Sequence, residues 1–333
     1  MKKQKIFILI AITIIVTLIL CSYVSAQVEA DRDWLSGNTI TIITGGSAGG
    51  SSDTFLRSFA PYWEKAANAK FIVENRPGAS GQIGYTHLLN LKDRGCEFIS
   101  ALTQIQFSIS VVMYEAEYDI DDFAMLCVQR VDPPTITVLK SSAYQTIEEL
   151  IEAMKNNPDT IKVGAESGAG GLFLRVLMDE IGFEPRIVNY ESGNEMRTAL
   201  LGGHVDFIPG TSTGDMLLGD EAKPLVVAGN RRIETWPDTP CTAEIWPDLD
   251  IPDALGSTRG FAVPAVDKEQ YPERFLALME TCREAFESPE YQEFLKQGGE
   301  LPIASFRGPE EADAHIHKGH DLVIRYKDFL KED

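Results

Sequence analysis

The sequence is short of positive charge, of cysteine and of long apolar runs. Lys and Arg number 30 against 50 Asp and Glu, a formal net charge of −20. That balance excludes the basic surfaces that grip nucleic acid or anionic lipid. Five cysteines in 333 residues are too few for a disulfide scaffold. There is no internal repeat and no low-complexity segment. One apolar run is long, Ile6 to Leu20, behind Lys2, Lys3 and Lys5 and ahead of Val24, Ser25 and Ala26. It reads as a signal peptide, residues 1–26, cleaved after Ala26. A spanning anchor needs about 20 apolar residues. Leu20 is too bulky for lipid attachment at Cys21. The expected product is a periplasmic protein of about 307 residues with a net charge near −23, since three lysines and no acid are lost.

What remains alternates between short apolar runs and helical patterns. Ile40–Thr44, Phe71–Glu74 and Phe98–Leu102 read as strands, with helices near 54–69 and 80–91 between them. Past Pro133 and Pro134 the pattern restarts. Thr135–Leu139, Ile161–Gly164, Ile187–Tyr190, Val205–Ile208 and Leu225–Ala228 read as strands. Thr146 and Glu149 form a capping box that opens a helix to Asn156. Phe261–Val263 is a further strand, and long helices are expected over 272–296 and 309–330. Such alternation predicts an α/β fold with mainly parallel sheets.

Thr41 to Arg57 carries the strongest local signal. A β-branched strand ends in Gly45, Gly46, Ser47, Ala48, Gly49, Gly50, Ser51 and Ser52, and a helix opens near Asp53. Helix N-termini carry unpaired N–H groups and the positive end of the dipole. Glycines admit a ligand close to the backbone. The loop therefore suits a small anion held by backbone donors. A second loop of this kind, Glu166, Ser167, Gly168, Ala169, Gly170 and Gly171, follows Ile161–Gly164. In open α/β sheets ligands sit at the carboxyl ends of strands, where these loops lie.

Other features have plainer readings. Gly45, Ser47 and Gly49 match a nucleophile elbow, but that element follows several strands in hydrolases and here follows the first. Asp53 caps a helix dipole or contacts a ligand amine, and Arg57 at i+4 can pair with it. Asp313, His317 and His320 recur at helical spacing with His315 nearby, as exposed polar helices do by chance, and no metal or cofactor is expected. Arg231 and Arg232 read as a solvated turn. Phe55, Phe59 and Trp63 read as core.

Taken in order, Gly49 to Asp53 with Arg57, Val73 to Gly81 with Ile83 and Gly84, Tyr118 to Phe123, Asn189 to Gly193, Leu201 to Asp206, Arg231 to Glu244 and Gly260 to Pro264 resemble the receptor family of tripartite tricarboxylate transporters, the Bug proteins. The resemblance implies a two-lobed, type II-like periplasmic binding protein with its ligand cleft between the lobes. It implies no enzyme, but a receptor that hands a small organic carboxylate to membrane permease subunits. Lobe I is expected to hold residues 37–135 and 262–333, and lobe II residues 136–261. The family holds its carboxylate at the loops matching Ser47–Asp53 and Glu166–Gly171. Ser47, Ala48, Gly49, Gly50, Ser51, Asp53, Ser80, Thr103, Glu166, Ser167, Gly168, Gly170, Gly171, Tyr190 and Asp206 are the candidate ligand contacts. Valine at Gly50 or Gly170 is expected to block the ligand and leave each lobe folded.

The family often has proline and an aromatic residue where Gly45 and Gly46 stand, and a small or hydroxyl residue in place of Glu166. Glu166 facing the cleft would favour an amino or hydroxy acid over citrate. Turned outward, it would cap the next helix. A monomer with no nucleic-acid partner is expected. A ligand-presenting partner of a sensor, an exported hydrolase and a receptor for an amino acid or amide are the alternatives. Of the four remaining cysteines, Cys96 and Cys127 are expected to pair, or none to. Cys241 and Cys282 fall in different lobes.

Overall fold

The computed structural model describes residues 31–330 except 92–93, 158, 167, 191, 250 and 253–254. The signal segment and Ser167 therefore lie outside the described residues. Two βα units open the first lobe. They are β1 Thr39–Thr44, α1 Ser51–Ala67, β2 Lys70–Asn75, α2 Gln82–Asn90 and β3 Phe98–Thr103. β1 pairs in parallel with both β2 and β3. α3, Gln104–Met113, follows β3 without a loop.

Three antiparallel strands complete this sheet: β4 Phe123–Asp132, β10 Ser257–Pro264 and β11 Ala304–Arg307. Its order is β11-β4-β10-β3-β1-β2. The second sheet contains β5 Pro134–Leu139, β6 Lys162–Ala165, β7 Arg186–Asn189, β8 Phe207–Thr211 and β9 Ala222–Val227. Its order is β7-β6-β8-β5-β9. Helices α4 Ile147–Asn156, α5 Ala169–Leu177 and α6 Gly193–Leu201 connect these strands, and the single turn α7 Thr242–Ile245 follows β9. Both sheets are mixed. They are parallel inside the βα units and antiparallel where the chain changes lobe.

The chain crosses once between Asp132 and Pro134 and returns before Ser257. Asp132 and Ser257 are register partners, so the two crossings lie side by side. Residues 257–261, expected in the second lobe, belong to the first sheet. Arg259 pairs with Thr103 of β3 and with Arg130 of β4.

α8 Ala265–Gln270, α9 Pro272–Glu287, α10 Pro289–Gln297 and α11 Pro309–Arg325 close the chain, with α12 Lys327–Leu330 behind them. The expected helix over 272–296 is two helices. Ser288 Oγ accepts from Tyr291 N–H at 3.3 Å and Pro289 fills the first helical position, the usual start of a new helix. Phe55, Phe59 and Trp63 pack on Phe261 as core. α11 begins in the first lobe, where Asp313 accepts from Met125 N–H at 3.0 Å. It ends against the second, with Arg325 paired to Glu180 at 2.7 Å.

All four described cysteines are free and buried. Cys96 and Cys127 do not pair, because β10 lies between β3 and β4. Cys127 instead meets Cys282 of α9, sulfur to sulfur at 3.6 Å. No described helix is long and apolar enough to cross a membrane.

Candidate functional site

The first glycine-rich loop joins the carboxyl end of β1 to α1. Gly50 is the N-cap of α1 and offers no side chain to it. The N–H of Gly50 is satisfied by Ser47 O at 3.0 Å. The N–H groups of Ser51, Ser52 and Asp53 have no carbonyl one turn back. They are the donors a carboxylate would use. By contrast α4 has its cap, with Thr146 Oγ1 accepting from Glu149 N–H at 3.3 Å.

The loop is braced from behind. Asp53 is 4% exposed and its carboxylate accepts from Gly49 N–H at 2.9 Å and from Arg57 Nε at 3.0 and 3.1 Å. The Arg57 contact, then the Gly49 bond, holds the Asp53 carboxyl below the usual carboxylate range. Arg57 also reaches Asn75 at 3.2 Å, and Asn75 Nδ2 donates to Gly46 O at 2.9 Å. Asp53 thus shapes the loop from inside. Gly49 takes a positive φ of 76°, which suits glycine.

A second turn packs on this loop. A Cβ on Gly45 would collide with Gly81 Cα. Residues 78–81 all have positive φ: Gly78 129°, Ala79 46°, Ser80 52° and Gly81 94°. Left-handed geometry costs a non-glycine residue about 1–2 kcal/mol. Two such residues in a row mark a turn held by its surroundings. Ser80 is therefore carried next to the first loop. Thr103 joins them from the end of β3, its Oγ1 3.2 Å from Ser52 Oγ.

The second loop joins the carboxyl end of β6 to α5, whose N-cap Gly168 gives no side-chain bond. Ser167 lies outside the described residues. Two glycines here are required by close packing against backbone, and a third faces a movable side chain. A Cβ on Gly170 would strike Pro209 O, one on Gly171 would strike Glu166 O, and one on Gly168 would strike the Glu166 carboxylate. Valine at Gly170 would therefore break the seat of α5 on β8, against the expectation that the lobe stays folded. At Gly50 a Cβ would come only to 3.0 Å from Ser47 O.

Glu166 does not cap α5. Its carboxylate folds over Gly168, and burial raises its pKa, offset in part by Arg197. Asp215 lies beneath β5 and β8. Its Oδ2 accepts from Thr135 and Thr137 at 2.6 Å each, and burial pushes its pKa up to about 6.

One sequence candidate sits elsewhere. Asp206 accepts from Lys162 N–H at 2.8 Å, at the opening residue of β6. Glu166 is just past the other end of that strand, roughly 13 Å away at 3.3 Å per residue. Tyr190 follows β7 at the carboxyl end, where its N–H donates to Ala165 O at 2.9 Å beside the second loop, and it lines a cavity of about 440 Å³ with Asn194 and His204 on the α6 side. Asp313, His315 and His317 diverge. His315 bonds Thr258 at 2.7 Å, and His317 bonds Asp121 at 2.9 Å. Among the described residues no side-chain group is arranged for a metal.

Arg259 is a neighbour of the loop that the sequence reading missed. From β10 it donates to Ser51 O at 3.0 Å and Ser51 Oγ at 2.9 Å, and it lies over the Phe55 ring at 5.8 Å. Burial, then Arg130, lowers its pKa to about 10. A lone charge in the apolar strand Gly260–Pro264 and its approach was the available signal. Between the lobes Asp132 accepts from Ser212 Oγ at 2.7 Å and Thr213 N–H at 3.2 Å, and Trp236 Nε1 donates to Ser212 O at 2.9 Å.

Two α/β lobes joined by adjacent crossings, each offering a glycine-rich loop before an uncapped helix, define the class of two-lobed solute-binding proteins. The pattern of the tripartite tricarboxylate transporter family receptor matches residues 56–306, most of the chain. The protein belongs to that family. It is 27% identical over 239 residues to a UPF0065 protein from the ttuE–ttuC' intergenic region of Agrobacterium vitis, covering 69% of this chain and 67% of the relative. A ligand-free TctC solute-binding protein from Polaromonas superposes with a TM-score of 0.72 at 25% identity, covering 89% and 99% of the two chains. MatC from Rhodopseudomonas palustris, with bound malate, gives 0.68 at 18% identity over 87% of this chain and 98% of its own. An R. palustris protein with adipate gives 0.70 at 19% over 88% and 96%.

Proposed function

We propose that the protein is an extracytoplasmic receptor that captures a small organic carboxylate and delivers it to membrane permease subunits. One observation carries this reading. Both glycine-rich loops stand at carboxyl ends of strands, and both precede helices whose N-cap glycines, Gly50 and Gly168, leave the first-turn donors free. A carboxylate bridging the two sets gains contacts only when the lobes close, so ligand shifts the population toward the closed form. The malate and adipate held by the two R. palustris neighbours support a small carboxylate. Ser47, Ala48, Gly49, Gly50, Ser51, Ser80 and Thr103 form the first wall. Glu166, Gly168, Gly170 and Gly171 form the second. The lobes divide at Pro133 and ahead of Ser257, where the sheets part. The receptor is exported, processed after Ala26, and works as a monomer.

Glu166 sets the ligand's second end. A buried carboxylate repels a further anionic group and accepts from an ammonium or hydroxyl. The favoured ligand is an amino or hydroxy acid rather than citrate. A thermal-shift panel of organic and amino acids tests this, with native mass spectrometry of the purified protein for a co-purified molecule. A panel without any stabilising carboxylate refutes the receptor reading. Citrate as the strongest stabiliser, unchanged by Glu166→Ser, refutes the specificity.

A further inference from the structure

A cavity of about 590 Å³ opens beside the lobe crossings. Val131, Pro133 and Pro134 from the first crossing line it, as does Gly256 from the second. Three cations enter it from three segments: Arg231 from the turn after β9, Arg307 from β11 and Lys318 from α11. No described acid lines it, in a chain where acids outnumber bases by 50 to 30.

The cations are not equivalent. Arg307 Nη1 is committed to His315 Nδ1 at 2.7 Å. The neighbouring Arg232 is consumed by Glu244 at 3.0 and 3.1 Å and by Pro237 O at 3.2 Å. Arg231 and Lys318 make no hydrogen bond or ion pair with a described residue. One belongs to each lobe, and both edge the same space. Uncompensated like charges brought together repel, and an anion between them removes that repulsion. The volume suits a small molecule. Its lining comes from the turn after β9 and from β11, at the edges of the sheets, whereas the glycine-rich loops leave β1 and β6.

We propose that this cavity is a second anion site, taking a small oxyanion with two or more negative charges that bridges Arg231 and Lys318. Phosphate and carboxylate groups share that chemistry. Arginine binds either bidentately, and lysine acts as a point charge. The site does not depend on what the cleft binds.

Titration calorimetry with inorganic pyrophosphate and, separately, citrate tests the proposal on the full mature protein. The variants are R231Q/K318Q and, as a cleft control, G50A. Both substituted cations are exposed and have no partner among the described residues, so the fold should survive, and the melting temperature checks this. At least one probe is expected to saturate the parent and G50A and to bind R231Q/K318Q about tenfold or more weakly, a loss near 1.4 kcal/mol. The probe that does so names the chemistry. No saturation of the parent by either probe below about 10 mM, a Kd around 2.7 kcal/mol, overturns the site. So does equal affinity in parent and R231Q/K318Q.

Discussion

Asp132 and Ser212 hold the two lobes together at the first crossing. The carboxylate ends β4 in one sheet, the hydroxyl follows β8 in the other, and they meet at 2.7 Å. Thr213 adds its N–H at 3.2 Å. Asp132 is 5% exposed, so removing it leaves buried donors unpaired. Asp132→Ala is expected to lower unfolding free energy by about 3 kcal/mol. Urea denaturation measures it, and a loss under 1 kcal/mol would show the clasp to be incidental.

The two loop glycines should separate folding from binding. Gly170→Ala drives a methyl into Pro209 O and is expected to cost about 2–3 kcal/mol of stability. Gly50→Ala meets only Ser47 O at 3.0 Å, at a φ of −74° that alanine adopts. It should melt near the parent temperature while binding carboxylate more weakly. Melting and calorimetry on the pair check both halves, and equal melting temperatures would contradict the packing.

Asp215 should make stability depend on pH. Its folded pKa, about 6, lies above its ordinary value of 3.8. Between those values the native state binds more protons than the unfolded chain, so stability falls as pH rises from about 4 to 6 and then levels. A shift near two units corresponds to about 3 kcal/mol. Asp215→Asn removes the titration and keeps the acceptor for Thr135 and Thr137. Its stability relative to the parent should grow across that window. Parallel pH profiles would exclude the effect.

The thiols should be silent in the native state. Burial pushes Cys96 up to about 12 and raises Cys282 well above an ordinary thiol, and thiolates are the reactive form. A thiol reagent is expected to label none of Cys96, Cys127, Cys241 and Cys282 before unfolding and all four after it. Labelling of fewer than four in denaturant would reveal a disulfide.

Much of the fold was legible because its signals are local. Thr146 and Glu149 form the expected capping box, with both reciprocal bonds present. The βα alternation and both glycine-rich turns stand where periodicity put them. β4 was harder to see. Phe123–Val128 is buried throughout, and a strand buried on both faces has no alternation. β11 has four residues, too few for any period. Asp206 stands at the amino end of β8 beside Lys162, the wrong end of its sheet, since a strand separates its two ends by its whole length. Arg259 reaches Ser51 across 208 positions, a pairing only tertiary structure makes.

The two crossings are built of unlike material. One carries Pro133 and Pro134, whose rings fix φ and remove two donors. The other passes through Gly256, the most permissive residue. A rotation shared between them cannot be shared equally. The proline side is expected to act as a fixed post and the glycine side to absorb the swing. On closure the second lobe is expected to turn like a gate about one jamb, with its largest displacement at the edge farthest from Pro133. That edge is β7, across the sheet from β5 and β9. A reporter dye there would travel farthest as the gate shuts.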